Sequence, residues 1–405
     1  MVVQTPVSTA VWVAATLLFT LFGVPFRDGD RASQLAIRFT TGMVIGGAVM
    51  WLEALLAIPW SRLALLIPLV VCGAAAVLGR RDSPREEGRR STWPIALITL
   101  LAIYGVATAR ETSGDLLFFW GPKAQHFFLA RTIDVGFLKF PHYYLMHPDY
   151  PPLQPLVYAW NSMAAHRFSY FGATFLTPLY LLATVLAFRG LARANGFATL
   201  LAALLAFGFG AGRVAGGADP QLILFEVVAL AALTFRDDAD LIAAIALAGA
   251  AFTKVEGASF AIILIVAFAL TRRNLKRALL VAAPATVLLG SWIVFAQVHS
   301  LLDSYARGGT PLHFDSLGLV LYVAGFEASY RAAYLPWIAV LLPLPFGRNW
   351  GRAAMPLLVA AGSILSITFF YLHEPNAVWW IKASADRVLL TPLVALLVAS
   401  AAASE

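Results

Sequence analysis

Apolar stretches of about 20 residues recur along this chain from one end to the other, and about 20 helical residues are what a bilayer core demands. Runs near that length occupy 8–26, 36–57, 63–79, 93–109, 169–188, 278–297, 332–346, 353–371 and 387–403, with shorter ones at 197–210, 220–235, 241–253 and 257–271. Only 13% of the 405 residues are charged, and the mean hydropathy is +0.77. A soluble chain carries roughly a quarter charged residues. Disorder, a fibrous repeat and an ordinary cytosolic enzyme are therefore excluded. The expected fold is all-α, a polytopic transmembrane helical bundle of about 11–13 spans. The single cysteine, Cys72, lies in an apolar run and rules out an intramolecular disulfide. The first run has no Lys or Arg before it and no small-residue cleavage pattern after it, so it reads as a span, not a cleaved signal.

With few charges, their placement becomes the signal. Basic residues concentrate in short connections: Arg80, Arg81, Arg85, Arg89 and Arg90, then RRNLKR at 272–277, with Arg189, Arg193, Arg236, Arg348 and Arg352 at further turns. Short cytoplasmic loops collect Lys and Arg. One alternating topology puts 17 basic residues on that side and 12 on the other, five of these in the long segment 110–167. All seven histidines then fall at the outer side, as do most lone acids. The chemistry is accordingly expected there, in a multi-pass protein of the inner (plasma) membrane. The net charge of +7 is a topology signal and implies no nucleic-acid partner.

Segment 110–167 is too polar to cross a bilayer and rich in aromatic rings, which favour the membrane–water interface. It reads as a large external loop of interfacial helices, with 151–165 as a surface-lying or re-entrant helix. Asp115 opens it. Gly114 before it would let the backbone approach a ligand closely, yet a lone Asp there also reads as a solvated span end. Trp120 and Lys123 follow, and Pro122 argues against a continuous helix through them. In His147-Pro148-Asp149-Tyr150-Pro151, Asp149 could equally cap the next helix, as could Asp219 in GGADP. Lys254 and Glu256 occupy the shortest connection of the chain. Residues two apart point to nearly opposite sides of a helix. Either each has its own partner or the turn is non-helical and lines a cavity. Further on, Lys382 and Asp386 are spaced to pair along a helix, and Trp380 and Arg387 share a face. Arg387 suits bidentate phosphate binding, or simple snorkelling at a span end. No Walker loop, dinucleotide fingerprint or zinc spacing is present.

Four of these segments, in order, resemble motifs of bacterial polytopic proteins of the GT-C glycosyltransferase superfamily, relatives of the dolichyl-phosphate-mannose protein mannosyltransferases. They are Asp115 with Trp120, Lys123 and Ala124; His147-Pro148-Asp149-Tyr150-Pro151; Gly217-Ala218-Asp219-Pro220 with Thr253-Lys254-Val255-Glu256-Gly257; and 379–390 with Asp386-Arg387. The resemblance covers about 115–390. It implies a GT-C-like core at 93–405 behind an N-terminal transmembrane module at 1–92. It also implies transfer of a sugar from a polyprenyl-phosphate-linked lipid donor to an extracytoplasmic glycan, lipid or protein acceptor. By that resemblance Asp115 is the catalytic carboxylate, and Lys254 and Arg387 hold the donor phosphate. Trp120, Lys123, His147, Asp149, Asp219, Glu256 and Trp380 shape the acceptor side or the cavity. No metal ligand set is assembled, although a divalent cation stays open. The competing expectation is a secondary transporter or lipid flippase of the cell envelope, favoured by the short runs at 197–271.

Overall fold

The structure of the protein, a computed structural model, describes residues 6–26, 30–61, 70, 112–140, 147–209, 214–301, 312–330, 335–374 and 376–405. Among these every regular element is helical: α1 (Pro6–Leu17), α2 (Arg31–Leu55), α3 (Gly121–Ala130), α4 (Val135–Leu138), α5 (Leu153–Ala165), α6 (Tyr170–Ala192), α7 (Asn195–Phe209), α8 (Asp219–Phe235), α9 (Asp240–Ala251), α10 (Val255–Arg272), α11 (Leu275–Val298), α12 (Leu317–Tyr330), α13 (Leu335–Leu341), α14 (Trp350–His373), α15 (Ala377–Val388) and α16 (Leu390–Ser404). Among the described residues six segments are long and apolar enough to cross a membrane: α2, α6, α10, α11, α14, and α15 with α16. The expected runs at 63–79 and 93–109, and the Arg-rich stretch between them, lie outside the described residues.

Two expected runs are broken up. The 8–26 run gives only the 12 residues of α1 and then a short 3-10 turn, Leu18–Leu21. The 332–346 run gives the seven residues of α13, then a turn at Pro343 and a 3-10 turn containing Pro345. Proline lacks the amide hydrogen that would continue the helix. Conversely, α12 lies outside the expected runs, its apolar stretch ending at Phe326 before Glu327.

The centre of the bundle is α8, buried all round from Asp219 to Thr234 and packed by α6, α9 and α16. A helix apolar on every face belongs in a core. The peripheral helices differ. On α10 and α11, Ile262, Val266, Leu270, Leu279, Leu280, Val287 and Val298 are all exposed, as suits contact with lipid tails rather than water. The N-terminal helices share the main core: α1 packs on α5 and α6, and α2 on α6, α5 and α9.

Of the two forms expected of segment 151–165, surface-lying or re-entrant, the structure excludes the surface-lying one. As α5 the segment is a core element, with Leu153 through Ser162 buried. The sequence could not show what satisfies its polar groups. Asn161 Nδ2 donates to Thr16 Oγ1 at 2.6 Å, Trp160 Nε1 to the Ala15 carbonyl at 2.9 Å, and Ser162 Oγ accepts from Trp12 Nε1 at 3.1 Å. Helix α1, 145 or more residues away in sequence, supplies these three partners, and the Tyr158 hydroxyl donates to the Gly216 carbonyl at 2.8 Å.

Connectivity gives the bundle two distinct ends. Helix α8 runs about 25 Å from Asp219 to Phe235. Helix α9 returns to Thr253 and Lys254, and α10 runs out again to Arg272. Asp219 and Lys254 therefore meet at one end, and Arg236, Asp240, Arg272 and Arg277 gather at the other.

Candidate functional site

The first piece of the site is one continuous helix where a break was expected. From Gly114 to Ala130 the backbone stays helical, with a π-helical turn at Leu116–Trp120 immediately ahead of Pro122. The Gly121 amide bonds back to the Leu116 carbonyl. Widening the turn accommodates a proline, whose ring would clash with the preceding turn of a regular α-helix and whose nitrogen has no hydrogen to donate. Asp115 and Lys123 thus sit on one rigid rod. Gly114 does not make the close approach expected of it, since a Cβ there would meet only Phe118 at 3.9 Å.

Two other glycines beside the cluster do make close approaches. Gly216 has a φ of +75°, and a Cβ on it would lie 2.3 Å from Leu116 Cδ2, next to Asp115. A Cβ on Gly257 would lie 2.0 Å from the Ala250 carbonyl oxygen. That contact draws the start of α10 against the end of α9 and fixes the turn between them. In that turn Lys254 is the N-cap of α10, with extended backbone (φ −150°, ψ 163°). The connection is non-helical, as one of the two sequence readings required. Lys254 Nζ consequently reaches both Asp219 Oδ1 at 2.9 Å and Glu256 Oε1 at 3.1 Å.

Arg387, on α15, completes the cluster. Its Nη1 donates to Asp115 Oδ2 at 2.6 Å and to Asp219 Oδ2 at 3.2 Å. Four segments separated by up to 272 residues thus converge on two cations and three carboxylates. Asp219 is no helix cap: α8 has no side-chain cap bond, and both of its carboxylate oxygens are engaged by cations. Side-chain exposure grades the cluster from a floor to an open rim. Asp219 and Lys254 are 8% and 7% exposed, Arg387 and Asp115 18% and 25%, and Glu256 36%. The second oxygen of Asp115 has no partner among the described residues, which leaves an acceptor for a hydroxyl at the open side. A guanidinium and an ammonium held over carboxylates can neutralise an incoming phosphate.

Beside this cluster stands a box of rings around Lys123. The ammonium lies 5.4 Å from the Trp120 ring centroid and 5.9 Å from that of Tyr150, and it donates to the His147 carbonyl. Burial drives the Lys123 pKa down to about 7 against the opposing pull of Asp149. Burial also lowers His147, helped by the positive charges of Lys123 and Lys254, to about 4. His147 takes a left-handed φ of 48°, which costs an L-residue about 1–2 kcal/mol. The turn is held nonetheless. The Tyr150 amide donates to the His147 carbonyl at 3.0 Å, the His147 and Tyr150 rings stack at 4.5 Å, and Trp292 Nε1 on α11 donates to the Asp149 carbonyl at 2.6 Å. Asp149 does not cap α5, whose N-cap is Pro152 with no side-chain cap bond.

Of the residues singled out in the sequence, Asp115, Asp219, Lys254, Glu256 and Arg387 come together, and Trp120, Lys123, His147 and Asp149 form the adjoining box. Trp380 joins neither; its ring packs on Phe370 and Trp379. Lys382 is exposed. Glu226 and Thr391 escaped the sequence reading. Glu226 lies seven residues after Asp219 on α8, hence on the same face about 10 Å deeper, and its Oε2 accepts from Thr391 Oγ1 at 2.7 Å. A single acid inside an apolar run was the available signal. Tyr371 was also passed over; its hydroxyl lies 2.9 Å from Ser384 Oγ, one turn before Arg387. Among the described residues no group of three or more His, Cys, Asp or Glu side chains is set to hold a metal ion. Comparison of the chain with family models, with curated proteins and with solved structures returns no match.

Proposed function

We propose that this protein is a membrane glycosyltransferase of the GT-C type, moving a sugar from a polyprenyl-phosphate-linked donor to an acceptor on the extracytoplasmic side of the inner membrane. The observation that carries this reading is the convergence of Asp115, Asp219, Lys254 and Arg387. They belong to three of the four segments in which the resemblance lies, and they hydrogen-bond to one another across 35 to 272 residues of sequence. In the proposed reaction the acceptor oxygen attacks the anomeric carbon, and the bond from that carbon to the phosphate oxygen breaks with its electron pair. The configuration inverts. Asp115, through its unengaged oxygen, takes the hydroxyl proton. Lys254 and Arg387 neutralise the charge that builds on the departing phosphate. Asp219 holds both cations in place, and the ring box of Trp120, Lys123, His147 and Tyr150 flanks the acceptor side.

The test is Asp115→Asn in proteoliposomes supplied with polyprenyl-phosphate-linked sugar donors. A fall in transfer of about 10²–10⁴-fold is expected, the usual cost of losing a general base, with membrane insertion and thermal midpoint retained. Full transfer in that variant would overturn the assignment. Counterflow of a labelled solute by the wild type, with no sugar transfer to any acceptor, would move the protein to the transporter class.

A further inference from the structure

At the far end of the rod that begins at Asp115 lies a second group of residues that the reaction does not use. His126 Nδ1 is 3.1 Å from Asp134 Oδ2. The other oxygen of Asp134 accepts from the Phe137 amide at 2.9 Å, which caps α4 and fixes the carboxylate. The imidazole lies flat on the Phe137 ring, with centroids 3.7 Å apart and planes 13° from parallel. These residues, with Gly136 and Phe140, line an open hollow of about 250 Å³. Phe140 is half exposed within it.

An ionised carboxylate can only accept, so His126 Nδ1 carries the hydrogen and Nε2 is the acceptor in the neutral ring. Hydrogen bond and ring stack together hold that nitrogen in one direction. The hollow therefore offers a ring nitrogen held in one direction, a carboxylate and the half-exposed ring of Phe140. That is the complement of a sugar ring, which presents hydroxyls around its edge and C–H bonds on its faces. The volume lies below the roughly 300–1,000 Å³ of sites for drug-sized ligands, and suits one ring, not a chain of rings. Eleven helical residues separate Asp115 from His126, about 16 Å along the rod. A ring in the hollow is thus too far from Asp115 to be the one that reacts.

We infer that the hollow formed by His126, Asp134, Phe137 and Phe140 is a distal sugar subsite, and that the acceptor is an oligosaccharide chain laid along the Gly114–Ala130 helix with its reacting hydroxyl at Asp115. This inference rests on the glycosyltransferase reading and narrows its acceptor from glycan, lipid or protein to a glycan or a glycan-bearing lipid.

The experiment uses the full chain in nanodiscs and a panel of short neutral oligosaccharides with their constituent monosaccharides, titrated by calorimetry. At least one oligosaccharide is expected to bind more tightly than its monosaccharide, and His126→Ala and Phe140→Ala are each expected to weaken it at least about ten-fold, or about 1.4 kcal/mol. His126→Gln, which keeps a polar edge, should recover part of the loss, and unchanged thermal midpoints confirm intact folds. Absence of oligosaccharide binding, or binding unchanged in both alanine variants, overturns the subsite. In the transfer assay the same variants should raise the acceptor KM and leave kcat unaltered; a fall in kcat at constant KM overturns it as well. Failure of the underlying reading looks different, because the wild type would then transfer no sugar to any acceptor while the oligosaccharide still binds and His126→Ala still weakens it.

Discussion

The two ends of the α8–α11 helices carry the same kinds of ion pair in opposite arrangements. At the basic end each cation is satisfied locally. Arg277 forks onto Asp240 at 2.6 and 2.7 Å, and Arg236 meets Asp238, two residues away, at 3.1 Å. These groups are partly or largely exposed, and Arg277 also reaches the carbonyl of Asp237, whose side chain is 85% exposed. At the other end one guanidinium nitrogen is shared between Asp115 and Asp219, and one ammonium between Asp219 and Glu256. Exposed pairs contribute little to stability because water already solvates both ions. Sharing at a buried site makes each member depend on the others, since removing one leaves its partners charged and unsolvated. The first arrangement can orient and anchor a helix end; the second holds charge ready for a ligand.

Substitutions can break this contrast in graded steps. Arg387→Ala should have the largest effect, because it removes the partner of Asp115 and one of the two cations on Asp219: a lowered thermal midpoint in nanodiscs, with sugar transfer abolished. Arg387→Lys should not restore transfer, because the lysine side chain is one atom shorter and its ammonium falls short of the Nη1 position that meets Asp115 and Asp219. Lys254→Met should follow, with a loss of comparable order, since Asp219 then keeps only the shared guanidinium. A smaller effect is expected from pH. Lys123 titrates near 7 in the fold, lowered by burial from 10.5. Between those values the unfolded chain holds a proton that the folded chain does not, so stability should fall as pH drops from 10.5 towards 7 and level off below. Thermal midpoints across that range check the slope, which Lys123→Met should flatten. The smallest change belongs to the basic end: Arg277→Ala should cost less than about 1 kcal/mol and leave transfer at the wild-type rate. A large loss of transfer in that variant would erase the distinction between the two ends.

Much of this was legible before the structure. Helix type and most of the helix positions follow from hydropathy runs, and Asp115, Lys123, Asp149, Asp219, Lys254, Glu256 and Arg387 stand out as charges at the ends of those runs. What stayed hidden depended on partners distant in sequence. The burial of α5 rests on Thr16 and Ala15, which no local pattern links to Asn161 and Trp160. The continuity of the helix through Pro122 rests on a π turn, and local propensity argues against it. Trp380 failed for the converse reason. Its spacing places it on the face of Arg387, but two turns of helix set it against Phe370 instead. Periodicity specifies a face, whereas a site needs a depth along that face as well.

Gly257 carries a consequence for how such a site is inherited. It touches no phosphate or sugar in the proposed reaction, yet a single added carbon would press on the Ala250 carbonyl at 2.0 Å and spread the α9–α10 turn from which Lys254 projects. In a saturation mutagenesis survey, position 257 should tolerate as few replacements as the charged residues themselves. Tolerance alone would then group it with the residues that meet substrate. Selection at this position acts on the room between two backbones, and only through that room on the lysine next to it.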